Sequence, residues 1–154
     1  YILIRFRKWT FSAGAVAALL HDVVITLGIF TLLSDVVSFN LLIDQNIIAA
    51  FLTIVGYSLN DTVVVFDRIR ENKLVHKGMD TIAMFIKSLN DTLSRTVITS
   101  LTTFFVVTIL FIFGGEVLKG LSFALIIGVI FGTYSSLFVA SPLVLELDPK
   151  KTTK

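Results

Sequence analysis

The chain has 154 residues, 55% of them hydrophobic and 16% charged, with 14 Phe, no Cys and a formal net charge of +2. A soluble domain of this length cannot hide so much apolar surface from water, and the lack of cysteine excludes disulfides and thiolate metal centres. The basic residues sit at the ends of apolar runs, which argues for loops at a membrane surface and against nucleic-acid binding.

The fold class that follows is all-α, a polytopic transmembrane helix bundle. Tyr1-Ile2-Leu3-Ile4 runs into Arg5, Phe6, Arg7, Lys8 and Trp9. Residues 1–10 therefore read as the end of a preceding transmembrane helix plus a basic turn, and the chain as part of a larger protein. Four stretches then match the ~20 residues needed to cross a bilayer: about 11–33, 44–66, 95–113 and 120–143, a four-span bundle over 11–143. Pro142 and the polar tail 144–154 are expected to end the last span. In the connection 67–94, the second helix should run on past Lys73 until Gly78 breaks it. Thr81-Ile82-Ala83-Met84-Phe85-Ile86-Lys87 fits either a short amphipathic interfacial helix or a solvated loop.

Arg5, Arg7 and Lys8 precede the first span, Arg68, Arg70, Lys73, Lys77 and Lys87 lie between the second and third, and Lys150, Lys151 and Lys154 follow the fourth. Only Lys119 lies on the opposite side, among Asp35, Asp44 and Glu116. The positive-inside rule places both chain ends and the 67–94 connection in the cytoplasm.

Several spans carry polar residues. His21-Asp22 interrupts the first, and an ionisable pair there costs several kcal/mol unless it faces protein or water. It fits a proton or ion relay and a helix-locking pair equally. In the second span Asp61 shares a face with Thr53, Tyr57 and Asn60. Desolvation can hold such a carboxyl neutral and a cation can hold it charged, so it is a candidate for taking up and releasing a proton; the rival reading is an interfacial Asp reaching the headgroups. In the third span Asp91, Arg95, Thr99, Thr102 and Thr103 recur at helical spacing, widened by Thr92 and Thr96, and should face the bundle interior. Arg95 cannot deprotonate and is a natural counter-ion for Asp61, against the alternative of snorkelling to the surface. In the fourth span Ala124, Gly128, Gly132, Ser136 and Ala140 recur every four residues, a device for close helix packing. Gly114-Gly115 marks a tight turn. No zinc-type histidine spacing, phosphate-cradling glycine loop or Gly-x-Ser-x-Gly is present, so neither a metal site nor an enzyme is expected.

The run Gly56-Tyr57-Ser58-Leu59-Asn60-Asp61-Thr62-Val63-Val64-Val65-Phe66-Asp67-Arg68-Ile69-Arg70-Glu71-Asn72 resembles the signature of the SecF family of protein-export membrane subunits. Ala18-Leu19-Leu20-His21-Asp22-Val23 and Thr92-Leu93-Ser94-Arg95-Thr96-Val97-Ile98-Thr99-Ser100-Leu101-Thr102-Thr103 are similar to two further elements of that family. The resemblance implies a bundle of the resistance-nodulation-division type with six spans, an exported domain between the first two, and the present four as the third to sixth. It implies a bacterial cytoplasmic (inner) membrane location and work with SecD and the SecYEG translocon, with YajC as an accessory partner, on an unfolded translocating preprotein. It also implies no cofactor beyond protons as the coupling ion, with the proton-motive force driving late translocation. Asp61 and Arg95 match the family's charged pair implicated in proton conduction, and Asp22, His21, Asn60 and Thr99 extend the expected relay. Asp91 departs from the family pattern, where glutamine is usual, and puts a carboxylate one turn from Arg95. Two other readings remain open: a mainly structural partner of SecD and the translocon, and a proton-driven small-molecule exporter of the same superfamily.

Overall fold

The computed structural model describes residues 1–148 apart from 35, 38, 40, 42 and 77. Asp35, Lys77, Lys150, Lys151 and Lys154, which entered the orientation argument, lie outside the described residues, as does the tail beyond Asp148. The described elements are α1 (Ile2–Phe6), α2 (Trp9–Leu33), α3 (Gln45–Val75), α4 (Thr81–Phe113), α5 (Glu116–Ser135), a π-helical turn (Ser136–Ala140) and α6 (Ser141–Glu146). The last three run together, giving four helices long and apolar enough to cross a membrane.

Local chemistry explains most of the boundaries. Asp44 caps α3, its carboxylate accepting from the Ile47 amide at 2.9 Å, and Asp80 caps α4 by accepting from the Ile82 and Ala83 amides. Each cap satisfies amides that the first helical turn leaves unpaired. The α4–α5 turn closes at Gly115, whose φ of 75° lies in the left-handed region that glycine adopts without steric cost.

Two features differ from the sequence expectation. Residues 81–87 form neither a separate interfacial helix nor a loop. No breaker separates them from the third span, so α4 is continuous from its Asp80 cap, and Met84 and Phe85 bury against the core. With α3 reaching Val75, the 67–94 connection is a helical hairpin. Pro142 does not end the fourth span either. It falls in the first turn of α6, where a missing amide hydrogen is tolerated, and the helix continues to Glu146. The π turn just before it bonds i to i+5, and Ser141 Oγ follows that spacing by donating to the Ser136 carbonyl at 3.0 Å.

Helix α5 packs on α2, α3 and α4, and α3 contacts the same neighbours, so α2 and α4 flank a central α3–α5 pair. The small-residue stripe makes that pair possible. Ala124, Gly128, Gly132, Ser136 and Ala140 are all buried. A Cβ added at Gly128 would place three Ile54 side-chain carbons inside 3.0 Å. Four-residue steps drift by about 40° each on a regular α-helix. The wider π turn takes up part of that drift, so Ala140 still faces α2, where its carbonyl lies 2.9 Å from a Cβ built on Gly14.

The apolar core is divided. One cluster, including Phe6, Phe11, Phe66, Ile69, Phe85 and Val144, fills the end of the bundle that holds the α1–α2 and α3–α4 turns. The other, including Phe30, Ile47, Ile54, Ala124 and Ile127, fills the opposite end. Between them lies a layer of buried polar side chains from all four long helices, Asp22, Ser58, Asp61, Thr62, Thr96 and Ser135 among them.

Candidate functional site: a polar layer across the bundle

Asp22 on α2 is fully buried. Its Oδ2 accepts from Ser58 Oγ of α3 at 2.6 Å and from Ser135 Oγ of α5 at 2.8 Å, while His21 Nδ1 lies 3.2 Å from Oδ1. Three helices thus meet on one carboxylate. Gly132 allows the approach: a Cβ there would sit 3.3 Å from Ser58 Cβ and 3.8 Å from Asp22 Oδ2. Ser136, one step along the stripe, shares a 2.9 Å hydrogen bond with Thr62 Oγ1. His21 itself is half-buried and stacks on Tyr134, with ring centroids 6.2 Å apart. Ser58, Thr62 and Ser135 were not singled out from the sequence. Ser58 and Thr62 stood in the signature run without a role assigned to them, and the signal for Ser135 was a serine pair, Ser135-Ser136, inside an apolar helix.

Asp61 lies on another face of α3, toward α4, and is 7% exposed. Thr96 Oγ1 donates to its Oδ1 across 3.4 Å. Its Oδ2 is buried with no hydrogen-bond partner among the described residues. On the same side Tyr57 Oη donates to Ser100 Oγ at 3.3 Å, and Ser100 Oγ lies 2.6 Å from Thr133 Oγ1 of α5. Asn60 is exposed and does not join this group.

The polar face of α4 is turned relative to expectation. The residues that face the interior are Ser88, Thr92, Thr96 and Ser100, whereas Asp91, Arg95, Thr99 and Thr102 lie on the outer face. Threonine hydroxyls do not need the interior, because they can bond the carbonyl three or four residues back. Thr99 does so, donating toward the Arg95 and Thr96 carbonyls at 3.0 Å, and Thr102 and Thr103 follow the same pattern. Arg95 makes no ion pair with Asp61 among the described residues. Asp91 does not turn toward Arg95. It pairs with Arg68 of α3 at 2.8 Å and accepts from Asn72 Nδ2 at 3.3 Å. These bonds, from Asn72 first and Arg68 second, hold its carboxyl below the usual aspartate range. Arg68 also reaches Glu71 at 2.8 Å, and Asn72 donates to Ser88 Oγ at 2.9 Å, so the α3–α4 hairpin is clamped outside the apolar span.

Among the described residues no group of His, Cys, Asp and Glu is placed to hold a metal. What the layer offers is one carboxylate tied to hydroxyls on two other helices, a second carboxylate with one oxygen unsatisfied, and hydroxyls that can both donate and accept.

Comparison with known proteins agrees with this architecture. The family described as "Protein export membrane protein SecD/SecF, C-terminal" matches residues 1–150. The chain is 67% identical over 154 residues to the protein translocase subunit SecF of Rhodothermus marinus, covering all of this chain and 50% of that protein. It is 49% identical over 156 residues to the SecF subunit of Petrotoga mobilis, covering all of this chain and 49% of that protein. The chain thus spans about half the length of these relatives. A crystal structure of SecDF in a super-membrane-facing form superposes with a TM-score of 0.88 at 42% identity, over 98% of this chain and 20% of that one. A second SecDF crystal structure, from Thermus thermophilus, gives 0.83 at 44% identity, over 95% and 19%. A multi-pass bundle matched in profile, sequence and structure over nearly its whole length belongs to the SecD/SecF family of protein-export membrane proteins, on the SecF side.

Proposed function

We propose that this bundle is the proton-conducting part of an auxiliary subunit of the Sec export machinery. In this reading it works with SecD in the bacterial cytoplasmic (inner) membrane, with both ends of the chain cytoplasmic, and couples the proton-motive force to late translocation of an unfolded preprotein through SecYEG; YajC is an accessory partner. Protons are the coupling ion and no cofactor takes part. The observation that carries the proposal is the unpartnered, buried Oδ2 of Asp61 in the polar layer. A buried carboxylate oxygen without a donor is costly as an anion, and a proton removes that cost. Release of the proton calls for a donor or cation to approach, and Arg95 on the neighbouring helix α4 takes that role in this reading. Thr96 supports a hydroxyl route between α3 and α4. Asp22, already held by Ser58 and Ser135, fits the role of joining the helices, and His21 beside it offers a second proton acceptor.

The test is Asp61→Asn in the full-length subunit co-reconstituted with SecD and the translocon. Proton-gradient-dependent stimulation of preprotein translocation is expected to disappear while insertion and co-purification of SecD are retained. Unchanged stimulation refutes the relay. Loss of SecD from the purified complex instead favours the structural reading, for which the outward polar face of α4 around Arg95 is the supporting feature.

A further inference from the structure

At the basic end of the bundle, away from the polar layer, a cavity of about 480 Å³ opens between the α1–α2 turn, the end of α3 and the start of α4. Its floor is apolar, with Phe6, Phe11 and Met84 drawn from the core cluster, and its rim carries Lys8, Arg70 and Lys73. His76 also lines it, and the His76 ring nitrogen Nδ1 is buried with no hydrogen-bond partner among the described residues. Asp67 is held by Arg5 at 2.8 Å and Asp80 accepts from the α4 amides, whereas Asp148 pairs with Lys73 on the rim itself.

The depth of the cavity along the bundle limits what can fill it. Phe11 begins the first span, whereas Arg70 and Lys73 lie one to two turns beyond the apolar part of α3, so the walls change from apolar to cationic across the layer where a bilayer meets water. Exposed Leu74 and Met79 also line the cavity, and such side chains are favourable against lipid rather than bulk water. The wall is held in place by the Phe6, Phe11 and Phe66 rings, packed with centroids 5.0 to 5.9 Å apart.

We infer that this cavity binds the headgroup of an anionic phospholipid. The phosphate sits between Lys8 and Arg70, beside the Lys73–Asp148 ion pair, His76 supplies a further polar contact, and the glycerol and first acyl carbons lie on Phe6 and Phe11. Juxtamembrane cations contribute about 1 kcal/mol each toward anionic lipid. Removing two of them should weaken binding roughly 30-fold.

The experiment uses the full-length subunit in nanodiscs of phosphatidylcholine with a minority of phosphatidylglycerol, counting retained lipids by native mass spectrometry. The wild type should retain phosphatidylglycerol selectively. The Lys8→Gln/Arg70→Gln double variant should lose it by roughly 30-fold, while Arg7→Gln, an exposed charge on the same turn that does not line the cavity, should retain it. Circular dichroism and a monodisperse elution profile establish that both variants remain folded. Equal retention by the double variant, or phosphatidylcholine held as tightly as phosphatidylglycerol, overturns the inference. Displacement of the lipid by inorganic phosphate alone, or by an acidic peptide, overturns the lipid assignment in favour of a free-anion or peptide site.

Discussion

Gly128→Ala is the most stringent test of how α3 and α5 are held together. Nonbonded carbons settle about 3.5–4.0 Å apart, and the new Cβ would find Ile54 Cγ1, Cδ1 and Cγ2 all inside 3.0 Å. Ile54 is 2% exposed and branched at Cβ, so these atoms cannot swing aside. The helices must part by about 1 Å to restore contact distance. On the same face, the Thr62–Ser136 hydroxyl bond of 2.9 Å would stretch to nearly 4 Å, beyond hydrogen-bond range. Overpacking costs about 1–3 kcal/mol and an interhelical hydroxyl bond in a membrane about 0.6 kcal/mol, so a loss of roughly 2–3 kcal/mol is expected. Reversible unfolding of the full-length subunit in mixed micelles by SDS titration measures it. Ile54→Ala removes the clashing carbons, and the double variant should be more stable than the two single losses added together, by about 1 kcal/mol or more. Wild-type stability of Gly128→Ala, or strict additivity with Ile54→Ala, would refute the packing geometry.

Ser135→Ala removes one of the two hydroxyl donors to Asp22 Oδ2 and should destabilise the bundle by about 1–3 kcal/mol; the same change in an Asp22→Asn background should cost less, because a neutral amide depends less on that donor. Thermal unfolding of the four proteins of this cycle checks it, and equal losses in both backgrounds would refute it. The Arg68–Asp91–Asn72 clamp predicts a pH dependence with a defined sign. The folded carboxyl of Asp91 lies below its unfolded value, so its stabilisation is present above the unfolded value and lost as pH falls through the folded one. Amide-exchange protection across the α3–α4 hairpin should therefore hold down to the ordinary aspartate range and weaken below it. Asp91→Asn should remove the Asp91 part of that response.

The number of long helices, the Gly114-Gly115 turn and the close packing of the fourth span were legible because each rests on local pattern: apolar length, a glycine pair, small residues four apart. What escaped has non-local or rotational causes. Asp22 meets Ser58 and Ser135, which lie 36 and 113 residues away along the chain, and no local periodicity encodes that meeting. On α4 two overlapping polar stripes were available, one through Arg95 and Thr99 and one through Thr96 and Ser100. Spacing alone cannot choose between them, since threonine bonds its own backbone on the outer face as readily as a neighbour on the inner one. Asp91 was read against Arg95, its neighbour on the same helix, yet the folded hairpin brings Arg68 closer. The extension of α4 back to Thr81 was missed because a capped helix with no breaker simply continues across the membrane boundary, which hydropathy marks but the backbone does not.

The divided core also has a mechanical consequence. Close-packed apolar side chains interlock and do not slide past one another without opening voids, so each end of the bundle resists shear. A hydroxyl is different: it can exchange one acceptor for another by rotating a single bond. The stratum holding Ser58, Thr62, Ser135 and Ser136 is therefore the level at which a small shift between helices can be met by exchanging hydroxyl partners instead of by opening voids. Asp22 and Asp61 both lie at that level, so the buried carboxylates of the mid-bundle sit where the packing is most easily rearranged.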